Sequence, residues 1–351
     1  MRSFKSIFEP ESIVVIGASR DPQKLGYGVT RNLIGSGYRG DIYLVNPSGG
    51  ELFDRPLYLS EEDLPGGVDL GLVVVPPSIV PCTLDAYSQK GVKSFVILTG
   101  GFGETGPEGA ALENEIKAII EVEGLNVIGP NCIGILDTHF PLDTTFIQPP
   151  MPEPGKVAFL THSGALGAAM IDWSRREGFG FSRVISLGNQ IDVTESDVLP
   201  STAAMPETAV VTMYLEGISD GRKFLQSASA ASEQKPVIVM KVGKSEAGRR
   251  AAASHTGALA GSDTAYAAAF RRAGVLRAET TEQMFSWAKL FATADLPENN
   301  RVAILTNAGG PGVTAADSVA ANGLALAEFS SKTINKPVSY THLRAHETVL
   351  D

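Results

Sequence analysis

Short, continuously apolar runs recur along this chain, and segments of helical length separate several of them. The first is Ser12–Ile16, and further runs follow at 42–45, 70–75, 95–98 and 126–128. Strands that helices cover on both faces lose the alternation of a half-exposed strand, so such runs are typical of a buried parallel sheet. The pattern predicts an α/β fold in which residues 1–142 form one doubly wound domain.

A proline-rich stretch interrupts this pattern, and we predict a linker over 143–155. Apolar runs and helical segments then resume, which predicts a second α/β domain over 156–297. A third unit is expected over 298–336, where its sequence is predicted to be truncated. Residues 337–351 share no periodicity with the preceding chain and are interpreted as a non-native tail, so they are excluded from the fold prediction.

The charge and cysteine content exclude several functional classes. Lysine and arginine total 29 against 39 aspartate and glutamate residues, for a net charge of −10, which is unsuited to binding a phosphate backbone. The two cysteines, Cys82 and Cys132, lack the spacing of a metal site or a disulfide framework, which favours a reducing cytoplasm. Neither an export signal nor an apolar run of membrane-spanning length is identified. We therefore predict a cytoplasmic protein with no nucleic-acid, membrane or metal site.

Loops rich in glycine and proline follow the predicted strands of the first domain. Residues 17–19, Gly-Ala-Ser, directly follow the first strand, and a strand, glycine turn and helix in sequence can bind phosphate through free N–H groups. The spacing is not G-x-G-x-x-G, and Asn46 replaces the acidic residue of nicotinamide enzymes. Both facts argue against NAD. Further loops that would converge on the same edge of the sheet lie at 76–78, 99–104 and 129–134. Tight turns without a ligand are the alternative interpretation.

The second domain carries a possible phosphoryl-transfer site. His255 lies among small residues, Glu216 follows a predicted strand, and Ser163, Gly164 and Ala165 form a strand-to-helix turn. Glu216 would accept a hydrogen bond from one ring nitrogen of His255 while the other nitrogen attacks phosphorus. The turn would donate hydrogen bonds to the phosphoryl group. Alternatively, His255 is an ordinary loop residue and Glu216 caps a helix.

Several of these segments resemble the acyl-CoA synthetases that form a nucleoside triphosphate from its diphosphate. The resemblance is to the ADP-forming acetate–CoA ligase type, distant relatives of succinyl-CoA synthetase, and it covers 6–334. Its motifs are 16–19, 129–134, 163–167, 186–189 and 254–261. The resemblance implies a Rossmann-like CoA-binding domain followed by flavodoxin-like domains of the succinyl-CoA-synthetase type, the last one truncated.

The family also implies a reaction and residue roles. The implied enzyme is an acid–thiol ligase that converts acyl-CoA, ADP and phosphate into the carboxylic acid, CoA and ATP through an acyl phosphate. His255 would be the phosphohistidine and Glu216 its partner, and the helix that begins after Ser163 would face the phosphate. The residues implied to lie near CoA are Gly17, Ser19, Arg20, Asn46, Pro76, Ser78, Thr99, Gly100 and Asn131.

The sequence departs from the family in two places. His162 stands where the family usually has glutamine, and we interpret His162 and His139 as structural. No ATP-grasp domain is identified, so ADP, ATP and Mg²⁺ are expected to bind to a β subunit or fused domain within an oligomer. The alternative function is the CoA-binding regulatory region of a protein lysine acetyltransferase. His255 argues against that alternative, because a regulatory copy does not need it.

Overall fold

The computed structural model describes residues 2–248 and 262–333 of the chain. Two compact units are present, Met1–Ala294 and Asp295–Asp351. The proposed tail over 337–351 and the histidine motif at 254–261 lie outside the described residues. No helix among the described residues is long and apolar enough to cross a membrane.

The first sheet contains seven strands in the order β3-β4-β2-β1-β5-β6-β7. All neighbours are parallel except β3, which runs antiparallel to β4. The strands are β1 (Ser12–Ile16), β2 (Asp41–Val45), β3 (Glu51–Leu52), β4 (Arg55–Tyr58), β5 (Leu70–Val73), β6 (Ser94–Ile97) and β7 (Asn126–Ile128). The helices are α1 (Lys5–Phe8), α2 (Leu25–Gly35), α3 (Val80–Gln89) and α4 (Pro107–Glu123).

Both faces of this sheet are buried, as the continuous apolar runs predict. Successive residues of β1 belong to different core clusters, Ile13 and Val15 to one and Val14 and Ile16 to another. Side chains of a strand point alternately to opposite faces, so the two faces of β1 pack into two separate hydrophobic clusters. The α/β prediction is confirmed.

The second sheet also has seven strands, in the order β14-β13-β12-β10-β11-β8-β9. The strands are β8 (Ile135–Asp137), β9 (Leu142–Asp143), β10 (Pro154–Thr161), β11 (Phe181–Ser186), β12 (Val210–Leu215), β13 (Val237–Lys241) and β14 (Leu276–Arg277). The described helices are α5 (Gly164–Glu177), α6 (Glu195–Ala204), α7 (Gly221–Ser232), α8 (Asp263–Arg272) and α9 (Thr281–Thr293). The strands from β14 to β11 are parallel, whereas β8 runs antiparallel to β11.

The chain enters the second sheet earlier than the proline-rich stretch. Residues 135–143, which the sequence-based division placed in the first domain or at the start of the linker, form β8 and β9 of the second sheet. A buried ion pair joins β8 to β11, with Arg183 Nε 2.7 Å from Asp137 Oδ2. The guanidinium carbon of Arg183 also lies 4.4 Å from the ring centre of Phe8 in α1. These contacts bring the N-terminal helix against the second sheet.

The described part of the second unit contains a short parallel strand pair and a helix. Its strands are β15 (Arg301–Val302) and β16 (Ala325–Leu326), and its helix is α10 (Gly309–Ala321). These elements lie within 298–336, where the sequence predicts the start of a third unit.

Candidate functional site

The first sheet reverses its strand order at β1, which pairs with β2 on one side and β5 on the other. Ligands of open α/β sheets bind at such a switch point, beyond the carboxyl ends of the strands. Gly17 follows β1 with φ +97°, and a Cβ added to it would lie 2.9 Å from the carbonyl oxygen of Val74. The loop after β1 therefore closely approaches the loop after β5.

The structure differs here from the predicted glycine turn. Helix α2 begins only at Leu25, so an eight-residue loop separates it from β1. Lys24 precedes the helix and its side chain makes no capping hydrogen bond. The loop after β1 is therefore longer than the predicted turn.

Two of the predicted CoA residues hold these loops together. Asn46 Nδ2 donates to the carbonyl oxygen of Ala18 at 2.6 Å, which joins the loops after β1 and β2. Thr99 Oγ1 donates to the carbonyl oxygen of Val75 at 2.7 Å, which joins the loops after β5 and β6. These contacts give both side chains a role in shaping the rim of the sheet.

All nine predicted CoA residues lie beyond the carboxyl ends of the parallel strands, eight in loops and Ser78 in the short 3-10 helix Pro77–Ile79. Ser19 is buried, and its hydroxyl accepts a hydrogen bond from the amide of Asp21 at 3.1 Å. Four of the nine are exposed to solvent, namely Arg20, Pro76, Ser78 and Asn131. The structure thus brings the predicted residues to one edge and leaves several of them accessible.

The carboxylate of Glu104, to which the sequence analysis assigned no role, fixes the loop after β6. Glu104 Oε1 accepts hydrogen bonds from the amides of Gly101 and Phe102 at 2.6 and 3.1 Å. Asn189, from the loop after β11 in the second sheet, donates to Glu104 Oε2 at 2.6 Å. Burial raises the pKa of Glu104, but the hydrogen bonds from Asn189 and these amides outweigh it and lower the pKa below its ordinary value.

One short segment, residues 129–134, connects this rim to the second sheet. It begins with a cis peptide bond before Pro130, and the carbonyl oxygen of Pro130 accepts a hydrogen bond from the amide of Asn189 at 2.9 Å. At its other end Ile133 packs against the start of α5, since a Cβ added to Gly164 would lie 2.8 Å from Ile133 Cγ2. The two predicted binding regions are therefore in direct contact through this segment.

The second sheet has its own switch point at β10, which lies between β11 and β12. Ser163 caps α5 there, and its hydroxyl accepts a hydrogen bond from the amide of Leu166 at 3.3 Å. The amides of Gly164 and Ala165 are in the first turn, where an N–H group has no intrahelical acceptor. The predicted turn thus has the geometry of an anion site at a helix N-terminus.

Glu216 follows β12 on the other side of this switch point and is buried. Its backbone N–H donates to His162 Nδ1 at 3.2 Å, and its carbonyl oxygen accepts from Lys241 Nζ at 2.9 Å. His162 Nε2 in turn lies 3.4 Å from Glu195 Oε2, and both side chains are buried. The predicted role of His255 concerns a residue outside the described part of the chain.

The sequence analysis did not assign functional roles to His162, Lys241 or Glu195. Lys241 is the one charged residue at the end of the apolar strand β13, which is a signal that could have identified it. Its side chain is 1% exposed, and burial lowers the pKa of its ammonium group. Within the ranges 2–248 and 262–333, no group of three or more His, Cys, Asp or Glu side chains could hold a metal ion.

Two family descriptions match the chain. Residues 11–138 match the family described as "CoA binding domain". Residues 154–291 match the family described as "Succinyl-CoA ligase like flavodoxin domain". The two matches together span most of the first compact unit. The first covers the whole first sheet and β8, and the second covers β10 to β14 of the second sheet, so each includes one switch point.

Individual relatives extend the similarity over nearly the whole chain. The α subunit of acetate–CoA ligase [ADP-forming] II from Pyrococcus furiosus is 48% identical over 95% of this chain and 72% of its own length. Acetate–CoA ligase [ADP-forming] I from Archaeoglobus fulgidus is 44% identical over 94% of this chain. That protein is longer, and the match covers 47% of its length.

A solved structure shows the same arrangement of elements. It is the dinucleotide-forming acetyl-coenzyme A synthetase 1 of Ca. Korarchaeum cryptofilum in complex with phosphate and ADP. Its TM-score is 0.91 at 38% identity, and the match covers 97% of this chain and 73% of that one. The similarity therefore holds in three dimensions as well as in sequence.

Proposed function

This chain belongs to the family of ADP-forming acetate–CoA ligases, and we propose that it carries the CoA-binding and phosphohistidine part of an acyl-CoA synthetase. The reaction converts acyl-CoA, ADP and phosphate into the carboxylic acid, CoA and ATP. The observation that carries this proposal is that residues 129–134 join the rim of the first sheet, at Thr99 after β6, to the start of α5 at the second switch point. A thioester held at this rim would then react with an anion held at the start of α5.

The proposed chemistry has three steps. Phosphate attacks the thioester carbonyl, the C–S bond breaks, and CoA leaves as an acyl phosphate forms. His255 then attacks phosphorus, the P–O bond breaks, and the carboxylate leaves. Finally ADP accepts the phosphoryl group from His255. Glu216 accepts a hydrogen bond from the second ring nitrogen and stabilises the positive charge that develops on the imidazole.

The anion site requires more than a helix dipole. A helix N-terminus contributes about 0.3–1 kcal/mol to binding a negative charge. A hydrogen bond to a charged group contributes about 1.5–3 kcal/mol. The hydroxyl of Ser163 and the amides of Gly164 and Ala165 are therefore proposed as the main phosphate-binding groups, with CoA held by the loops that contain Gly17, Arg20 and Asn131.

The nucleotide half-reaction is assigned to a partner. We propose that an ATP-grasp β subunit or fused domain binds ADP, ATP and Mg²⁺, and that the two parts form an oligomer in the cytoplasm. The α-subunit relative from Pyrococcus furiosus supports a separate β subunit. Mg²⁺ would accompany the nucleotide on that partner and would neutralise phosphate charge there.

Phosphorylation by ³²P-labelled acetyl phosphate tests the proposal. Transfer of the phosphoryl group to His255 releases acetate, needs no nucleotide, and leaves a label that is stable in base and lost in acid. The full chain should become labelled and His255→Asn should not. Calorimetry with CoA is the control, because the substitution leaves the first sheet intact. Persistent labelling of His255→Asn excludes this residue from the reaction.

The acetyltransferase alternative predicts a different result. A regulatory CoA-binding region binds acyl-CoA but is not phosphorylated. The relatives that carry the family assignment are ligases, which favours the synthetase. CoA binding without any labelling from acetyl phosphate would favour the alternative.

A further inference from the structure

Both peptide groups that flank the α-carbon of Glu216 are held by buried side chains of neighbouring strands. We propose that His162 and Lys241 are positioning residues that orient the carboxylate of Glu216 toward the phosphohistidine. This inference rests on the proposed function, because it concerns the same site. It assigns a role to two residues that do not themselves contact the reacting phosphorus.

His162 holds the peptide before Glu216. Its Nδ1 accepts the N–H of Glu216 at 3.2 Å, so the ring proton must be on Nε2. That nitrogen lies 3.4 Å from Glu195 Oε2, and only 3% of the His162 side chain is exposed. The backbone of His162 is fixed as well, because its amide donates to the carbonyl oxygen of Tyr214 at 3.1 Å. Among the described residues, Nδ1 is therefore held by the backbone of Glu216, whereas Nε2 is buried beside Glu195 without a hydrogen bond.

Lys241 holds the peptide after Glu216. Its ammonium group donates to the carbonyl oxygen of Glu216 at 2.9 Å and to that of Val242, and it lies 4.6 Å from the ring centre of Tyr266. A buried ammonium group is destabilising unless fixed dipoles and charges surround it. Here two carbonyl dipoles and an aromatic face solvate the charge, while the negative charge of Asp263 also favours it.

The two contacts together restrict the direction in which the Glu216 side chain can leave the backbone. Its N–H and C=O are tied to strands β10 and β13, on opposite sides of β12. Rotation of either peptide group would break one of these hydrogen bonds. Misplacement of a reacting group by about 1 Å can reduce a rate by about 100-fold, so a fixed backbone at this residue has a direct catalytic consequence.

Substitutions at His162 separate positioning from general structure. His162→Leu keeps the bulk but removes the acceptor and the donor, and it should slow labelling by acetyl phosphate by about 10- to 100-fold. His162→Gln retains an acceptor for Glu216 and a donor for Glu195, and its rate should stay within about threefold of wild type. CoA affinity should be unchanged in both variants, since the first sheet is untouched.

The decisive control is the same substitution in a Glu216→Ala background. If His162 acts by orienting the Glu216 carboxylate, His162→Leu should cause no further loss once that carboxylate is absent. A loss of equal size in both backgrounds overturns the positioning role. Lys241→Met should behave in the same way, and it provides the comparison if His162→Leu does not fold and bind CoA.

A spectroscopic measurement tests the geometry without catalysis. Nitrogen-15 NMR of the full chain should report His162 with its proton on Nε2 and a hydrogen-bonded Nδ1. A proton on Nδ1 overturns the inference. The proposed function is contradicted if the wild-type chain is not labelled, or if His255→Asn is still labelled. A wild-type labelling rate in His162→Leu contradicts only the positioning role.

Discussion

Replacement of Gly17 by alanine tests the close approach of the loops at the first switch point. Gly17 has φ +97°, and an added Cβ would lie 2.9 Å from the carbonyl oxygen of Val74 and 3.0 Å from its carbon. A left-handed backbone costs a residue with a side chain about 1–2 kcal/mol. Overpacking typically costs about a further 1–3 kcal/mol. This cost applies here because the backbone carbonyl of Val74 would have to move. We expect Gly17→Ala to lower the free energy of unfolding by about 2–5 kcal/mol.

Gly124→Ala is the matched control. Gly124 ends α4 with φ +63°, and an added Cβ would meet nothing within 4 Å. This variant should show only the backbone cost of about 1–2 kcal/mol, partly offset because alanine restricts the unfolded chain. Both variants should be compared by urea denaturation of the full chain.

The two variants should also differ in CoA binding. Moving the loop after β5 in Gly17→Ala should weaken CoA binding in calorimetry by about tenfold, whereas Gly124→Ala should leave it unchanged. Equal destabilisation and equal CoA affinity in the two variants would show that the loops are not packed at Gly17 as described. The assignment of the CoA site to this switch point would then lose its support.

Two further changes test the second sheet. Gly164→Ala should slow labelling by acetyl phosphate while CoA affinity is retained. The new Cβ, at the start of α5, would lie 2.8 Å from Ile133 Cγ2 and would displace the turn that binds phosphate. Equal labelling rates would contradict this packing. Burial raises the pKa of Asp143 from 3.8 to about 6, so its charged form destabilises the fold and stability falls as pH rises between roughly 4 and 6. Asp143→Asn should therefore raise the melting temperature more at pH 7.5 than at pH 4, and a constant difference would refute the raised pKa.

Buried apolar strands could be predicted from the sequence, but two-residue strands could not. Strands β1, β2, β5, β6 and β7 overlap the predicted runs because burial on both faces leaves an unbroken apolar pattern. Strands β3 and β9 have two residues each, too few to show any period. Their formation depends on partners elsewhere in the chain, which no local pattern reveals.

The sequence analysis identified candidate site residues that directly follow predicted strands. It missed residues whose role depends on contacts between different strands. Ser163 and Glu216 stand directly after strands, and parallel topology brings such positions to one edge. The sequence analysis interprets His162 as structural and assigns it no contact with Glu216. Its hydrogen bond to Glu216 spans 54 residues of sequence and appears only when β10 and β12 pair. The family resemblance is confirmed by the 48% identity to a ligase α subunit.

The early entry of the chain into the second sheet affects how hybrid enzymes should be assembled. Because β8 and β9 precede the proline-rich stretch, a chimera spliced at that stretch would transplant two foreign strands along with the donor's coenzyme-binding half. The recipient would then have to accommodate a mismatched sheet edge, including the Asp137 end of a buried ion pair. Recombination points placed before β8 keep each sheet from a single parent.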